Sequence, residues 1–350
     1  MFANNLFKAG TCAVVVAAAG LFGAYSSEAQ TAAPRYQVDM NWPKPLPDRW
    51  VLGGLGGLCV DRDDHVFILN RQDVLPGELN AGTQAPNIIQ FDTEGNVINS
   101  WGDAKLLDDR LHSCHVDQDN NIWIASAPSG MIQKYSQDGK LLQTVGVKGK
   151  LDSSDGTDKG RPLNSPAAIF HMPSGIFVDR ANGDIYVSDG EGDGSNKRVA
   201  VMDKSGKFLR QWMPEGMATV HCLIMGNDGL VYVCNRQNAR IQVYDKMGAL
   251  KRTIQVPWTP ATPNQKQEFG GASVAVDFSP DQKLMYVINQ NSGTVEVLER
   301  DSGKRLTSFG RAGSYPGQFN QHHGIAVDSK GNVYLAENRG RRVQKFRAVQ

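Results

Sequence analysis

The segment "GSYPGQFNQHHGIAVDSKGNVYLAENRGRRVQKF" (313–346) reads as three short runs of alternating apolar and polar residues, GIAVD, VYLAE and RVQKF, separated by turns built on glycine and asparagine. Period-2 alternation broken by such turns is the pattern of antiparallel hairpins. The outline returns along the chain. Its third run recurs as "NIIQFDTEG" (87–95), "MIQKYSQDG" (131–139), "RVAVMDKSG" (198–206), "RIQVYDKMG" (240–248) and "TVEVLERDSG" (294–303), and each of these leads into a further alternating stretch. The preceding hairpin is plainest in "GLCVDRDDHVFILN" (57–70) and "GIFVDRANGDIYVSD" (175–189), with an anchor aspartate at Asp61, Asp117, Asp179, Asp277 and Asp328 and Gly226 in its place in the fourth copy. Four strands in each of six repeats predict an all-β, six-bladed β-propeller, whose radially stacked blades bury faces that none could bury alone. The outer strand is written only five times, because the chain ends just after the sixth copy of the third. The stretch "YQVDMNWP" (36–43) is expected to supply the missing strand, pairing with the last blade and closing the ring so that no edge is left open.

With 40% apolar and 21% charged residues among 350, the chain is long enough to bury a substantial core. Its 37 Lys and Arg balance 36 Asp and Glu, which leaves no basic surplus for a nucleic-acid partner or a membrane surface. At the N-terminus Lys8 precedes an apolar run to about Tyr25, followed by Ser27-Glu28-Ala29. That is the pattern of a signal peptide over 1–29, cleaved after Ala29, with secretion or a periplasmic location as the consequence. The run is too short to span a bilayer, so no membrane span is expected, and residues 30–350 are expected to form one propeller domain, as a monomer. Past Cys12, the remaining Cys59, Cys114, Cys222 and Cys234 are too few for a disulfide scaffold. They are expected to lie on strands as small apolar residues, with room for one bridge.

Five positions before each anchor stand Gly56, His112, Ser174, His221, Ala272 and His323. Histidine therefore falls on alternate blades, and equivalent positions of a six-fold ring share one radius and height, so His112, His221 and His323 are expected to form a triangle around the axis. His65, His115, His171 and His322 have no such relation and are read as structural. Three imidazoles suit Zn²⁺ with a fourth position open, although other transition metals accept the same donors, whereas calcium prefers oxygen. Ten positions after the anchors, Arg71 ("FILNRQ") and Arg236 ("YVCNRQ") end second strands on facing blades, at the mouth where the histidines lie. A guanidinium fork matches a carboxylate, so the substrate is expected to be a small molecule or peptide bearing one.

The repeats, and 313–346 above all, resemble the NHL-repeat propellers. "LHSCHVD" (111–117), "TVHCLIM" (219–225) and "QHHGIAVD" (321–328) are similar to the three histidine segments of the peptidyl-α-hydroxyglycine α-amidating lyases. The resemblance implies that His112, His221 and His323 hold zinc, that Arg71 and Arg236 are active-site arginines, and that the reaction cleaves the C–N bond of a carbinolamide. This chain departs from the pattern twice. The family's catalytic tyrosine is expected just after "YVSDG" (186–190), where Glu191 stands instead, which makes Glu191 the leading candidate for the base, with Asp189 and Tyr315 behind it. Gly324 replaces an aspartate through which the family holds a structural calcium, so the resemblance does not carry that ion over. The unusually long loops 72–87 and 149–166 are expected to shape the pocket. Two other classes fit the same pattern: a metal-dependent hydrolase of lactones or esters on this propeller, and a propeller that binds a ligand without catalysis.

Overall fold

A computed structural model describes residues 33–108, 110–258 and 271–349. The expected signal segment lies outside them. Six four-stranded antiparallel sheets make the blades, with first strands at Leu55–Val60, Leu111–Val116, Pro173–Val178, Val220–Met225, Val276–Phe278 and His322–Val327. These first strands neighbour one another around the ring, the sixth packing on the first. Each blade then steps outward in chain order. Residues buried on both faces of the second strands, such as Val66–Asn70 and Val231–Asn235, explain why those runs read as almost wholly apolar.

The ring closes as the repeat count requires. Arg35–Val38 pairs antiparallel with Arg342–Val349 as the outer strand of blade six, Tyr36 facing Ala348 and Val38 facing Phe346. The Tyr36 ring stacks on Phe309 of blade five at 4.5 Å, and its hydroxyl donates to the Tyr286 hydroxyl at 2.9 Å. Trp42 is buried between Phe91 of blade one and Tyr334 of blade six. A segment thirty residues from the start of the chain thus bolts together the blades written at its two ends.

Two expectations need correction. In blade five the anchor is Ser279, not Asp277. The anchor's N–H closes the first hairpin on a main-chain carbonyl, Asp61 on His65 and Asp328 on Asn332, and in blade five it is Ser279 that does so, on Leu284. Asp277 lies two residues earlier, its side chain accepting from the Phe278 and Val327 amides. The Val-Asp doublet imitated the motif while the turn "SPDQK" carried it. The column residue five positions back is accordingly Val274 rather than Ala272. The cysteines, moreover, are not four small apolar residues with room for one bridge: all of them pair, as Cys59–Cys114 between the inner strands of blades one and two and as Cys222–Cys234 within blade four. Neighbouring inner strands bring 59 and 114 within 5.7 Å between Cα atoms, a proximity that one-dimensional spacing does not reveal.

The Cys59–Cys114 bridge joins residues 55 apart, and a loop of that size is worth roughly 4 kcal/mol in the chain-entropy account. Replacing both cysteines by Ala is expected to lower unfolding stability by about 2–4 kcal/mol. Denaturant titration under non-reducing conditions measures this, and an unchanged midpoint would mean that the bridge contributes nothing.

Candidate metal centre on the propeller axis

Every histidine of the triangle sits at a break in its strand. In blade two Leu111 pairs with Ser126 and Ser113 with Ala125, so His112 is the extra residue of a β-bulge, and His323 occupies the same place between His322 and Gly324. In blade four the break spans His221 and Cys222. A bulge turns the side chain out of the sheet's alternation. Here it aims all three imidazoles at the axis, with ring centroids 4.7, 4.9 and 5.1 Å apart. His322, the residue beside His323, points the other way: its ring stacks on Phe319 and its Nε2 donates to the Thr294 carbonyl at 2.8 Å. His115 packs against Phe177, and His65 lies in the blade-one turn 3.3 Å from Asp61.

The Nδ1 of each axial ring meets a main-chain carbonyl of the next blade: His112 on Ser174 at 2.5 Å, His221 on Val274 at 2.6 Å and His323 on Gly56 at 2.6 Å. A carbonyl only accepts, so Nδ1 carries the proton and the Nε2 lone pair is left facing the axis. Burial above all, then the charges of neighbouring groups, holds the His221 and His323 imidazoles well below their ordinary value, and hence neutral. Three buried imidazoles whose Nε2 atoms converge make a donor set that suits a divalent transition metal.

Glu191 closes the mouth of this triangle. Its Oε2 lies 3.0 Å from His112 Nε2 and its Oε1 4.0 Å from His221 Nε2, and one donor atom from each of His112, Glu191, His221 and His323 falls within 4.8 Å of the others. Burial opposes ionisation of Glu191, but the polar neighbours of its carboxylate, His112, His221 and the Arg110 guanidinium among them, outweigh burial and hold its carboxyl well below the usual range. Three arginines stand about it. Arg236 Nη1 is 3.8 Å and Arg110 Nη2 3.5 Å from Oε1, while Arg71 donates through Nε to the Leu111 carbonyl at 3.0 Å and has no acceptor for its buried Nη2 among the described residues. A Cβ at Gly56 would lie 1.8 Å from the Leu111 carbonyl oxygen and 3.0 Å from Arg71 Nε, so only glycine leaves room for that guanidinium.

The strap bearing Glu191 is held from below. Gly190 and Glu191 both donate their amides to the Met172 carbonyl, and Asn196, at the strap's far end, donates to Asp189 at 2.8 Å and Asp152 at 2.9 Å. Asp152 belongs to the long loop 149–166, which therefore buttresses the strap. Asp189, a candidate base in the sequence, is instead fully buried in an ion pair with Arg198 at 2.9 Å, and burial, opposed by that arginine, pushes its carboxyl up to about 6. Tyr315 is 78% exposed, and its backbone hydrogen bonds run to Gln318 and Arg342 rather than to the site. On the opposite side of the triangle a narrow cavity of about 90 Å³ touches all three histidines and runs along the inner strands to a wide opening of about 710 Å³ lined by Asp179, Lys246 and Asp277. At Gly324 an added Cβ would lie 2.8 Å from the Gly57 Cα, so the residues here do not fit a carboxylate ligand for calcium at that position.

No family model matches the chain. It is 27% identical over 328 residues to NHL repeat-containing protein 3 of Homo sapiens, covering 89% of this chain and 84% of that protein. The chain is a six-bladed β-propeller similar to NHL-repeat proteins. The propeller is also 23% identical over 255 residues to the peptidylglycine alpha-amidating monooxygenase of Rattus norvegicus, a match that takes in 67% of this chain and 23% of that longer protein. A solved streptogramin B lyase superposes with a TM-score of 0.57 at 14% identity, over 90% of this chain and 98% of that chain, a likeness of fold alone.

Arg110 is the functional candidate that the repeat pattern did not expose. It lies two residues ahead of His112 in a connection between blades, where no repeat position marks it. Asp189 is expected to serve the strap rather than the chemistry. Asp189→Ala removes the nearer carboxylate from the buried Arg198 charge, leaving only Asp152 at 3.6 Å, and is expected to cost up to about 3–5 kcal/mol of stability, read by thermal or denaturant unfolding.

Proposed function

We propose that the propeller is an exported, metal-dependent lyase that cleaves a carbinolamide-like C–N bond in a small molecule or peptide carrying a carboxylate. The observation that supports it most is the set of three buried imidazoles with their Nε2 atoms turned to one point, beside an arginine whose buried Nη2 has no acceptor among the described residues. The similarity to an amidating monooxygenase agrees with this reading, and the four bridged cysteines agree with an oxidising compartment. Among the described residues no helix is long and apolar enough to cross a membrane.

His112, His221 and His323 would hold the metal, with zinc the ion best suited to three imidazoles and an oxygen donor, and when bound it supplies Lewis acidity that lowers the pKa of a substrate hydroxyl. Arg71 and Arg236 hold the substrate carboxylate, which fixes the neighbouring carbon against the histidine triangle. Glu191 is the carboxylate placed to take the hydroxyl proton. As the C–N bond breaks, its electron pair leaves with nitrogen, the oxygen's electrons form the new carbonyl, and the proton held on Glu191 passes to the departing nitrogen. Buried, and ringed by positive charge, the site favours an anionic substrate.

The purified propeller is expected to carry about one transition metal per chain, lost on joint replacement of His112, His221 and His323 by Ala; elemental analysis decides it. A folded wild type without metal would sink the site. Arg71→Ala and Arg236→Ala are expected to keep metal and fold but to weaken glyoxylate binding, with Lys a partial substitute because it lacks the fork. Release of glyoxylate from an α-hydroxyglycine-terminated peptide tests the reaction. Hydrolysis of a lactone or ester in its place would assign the site to the hydrolases.

A further inference from the structure

The Glu191 carboxylate and the imidazole of His112 approach to 3.0 Å, yet His112 Nε2 and Glu191 Oε2 are both buried without a hydrogen-bond partner among the described residues, as is His221 Nε2. The Nδ1 protons are committed to Ser174 and Val274. Acceptor therefore faces acceptor, an arrangement that costs free energy unless a cation stands between. Donor atoms bound to one tetrahedral ion at 2.0–2.1 Å are about 3.3 Å apart, and the 3.0 and 4.0 Å separations from Glu191 bracket that spacing.

From this juxtaposition we infer that Glu191 is a direct, fourth ligand of the metal in the substrate-free protein, so that the site is His₃Glu and closed at rest. The inference rests on the metal-site reading above and deepens it. Glu191 is the one ligand of the four that sits on a strap between strands rather than in an inner strand, and Arg110 and Arg236 compete for its Oε1. It is thus the ligand able to leave when a substrate enters. The same arginines that would hold a substrate carboxylate lie beside the protein's own, which makes Glu191 the occupant a substrate displaces.

Zinc affinity measured by chelator competition on wild type, Glu191→Ala and Glu191→Gln, together with the absorption spectrum of the cobalt-substituted proteins, tests this. Both variants are expected to bind zinc more weakly, by at least the roughly 10- to 100-fold that even outer-shell changes cause, and to show an altered cobalt spectrum. Formate is expected to shift the Glu191→Ala spectrum back toward wild type and to leave the wild-type spectrum unchanged. Wild-type affinity and spectrum in both variants would overturn the ligand role and leave the three-histidine site standing; a wild type that takes up neither zinc nor cobalt would overturn both. Glu191→Gln, nearly the same size, keeps the test valid should the Ala variant fail to fold.

Discussion

Three hydrogen bonds carry the architecture of the axis: the Nδ1–H of His112, His221 and His323, each donated to a main-chain carbonyl of the following blade. Each bond couples adjacent inner strands, so it helps set the spacing of the blades. It also consumes the only proton of a neutral ring, so the same bond determines the tautomer and turns the Nε2 lone pairs inward. Support of the ring and arrangement of the candidate metal site are one set of contacts. The acceptors are backbone atoms of Ser174, Val274 and Gly56, so these hydrogen bonds do not themselves depend on the side chains at the intervening column positions.

Around that triangle the charges are layered. Glu191 offsets part of the positive field of Arg71, Arg110 and Arg236, and it is kept in place by a buried network in which Arg198 joins Asp189 while Asn196 bridges Asp189 and Asp152. Burying so many polar groups costs free energy unless each is paired, and here the pairs link the strap, the second strand of blade three and the long loop 149–166. The loop therefore acts on the site at one remove, by holding the strap still.

The four strands of each blade were legible because alternation and glycine turns are local, and the missing outer strand followed from the repeat count. The histidine column was legible because symmetry converts equal sequence position into equal radius. Legibility failed where those conditions lapsed. In blade five a Val-Asp doublet two residues before the true turn mimicked the anchor, and only the Ser279–Leu284 hydrogen bond distinguishes them. Arg110 and Glu191 sit in connections outside the repeat: the latter was singled out only by a resemblance, and the former by nothing.

What the sequence by itself determined, then, is the number of blades, the closure of the ring by an N-terminal strand within or beside 36–43 and the membership of the three-histidine triangle, since all of these follow from periodicity. What only the tertiary structure decided is every contact between segments with no shared period: the Cys59–Cys114 and Cys222–Cys234 bridges, the burial of Asp189 against Arg198, and the seating of Glu191 beside His112. The physical reason is that strand alternation and turn chemistry act over a few residues of chain. Pairing of thiols, charges and lone pairs depends instead on distances that exist only after the ring has closed.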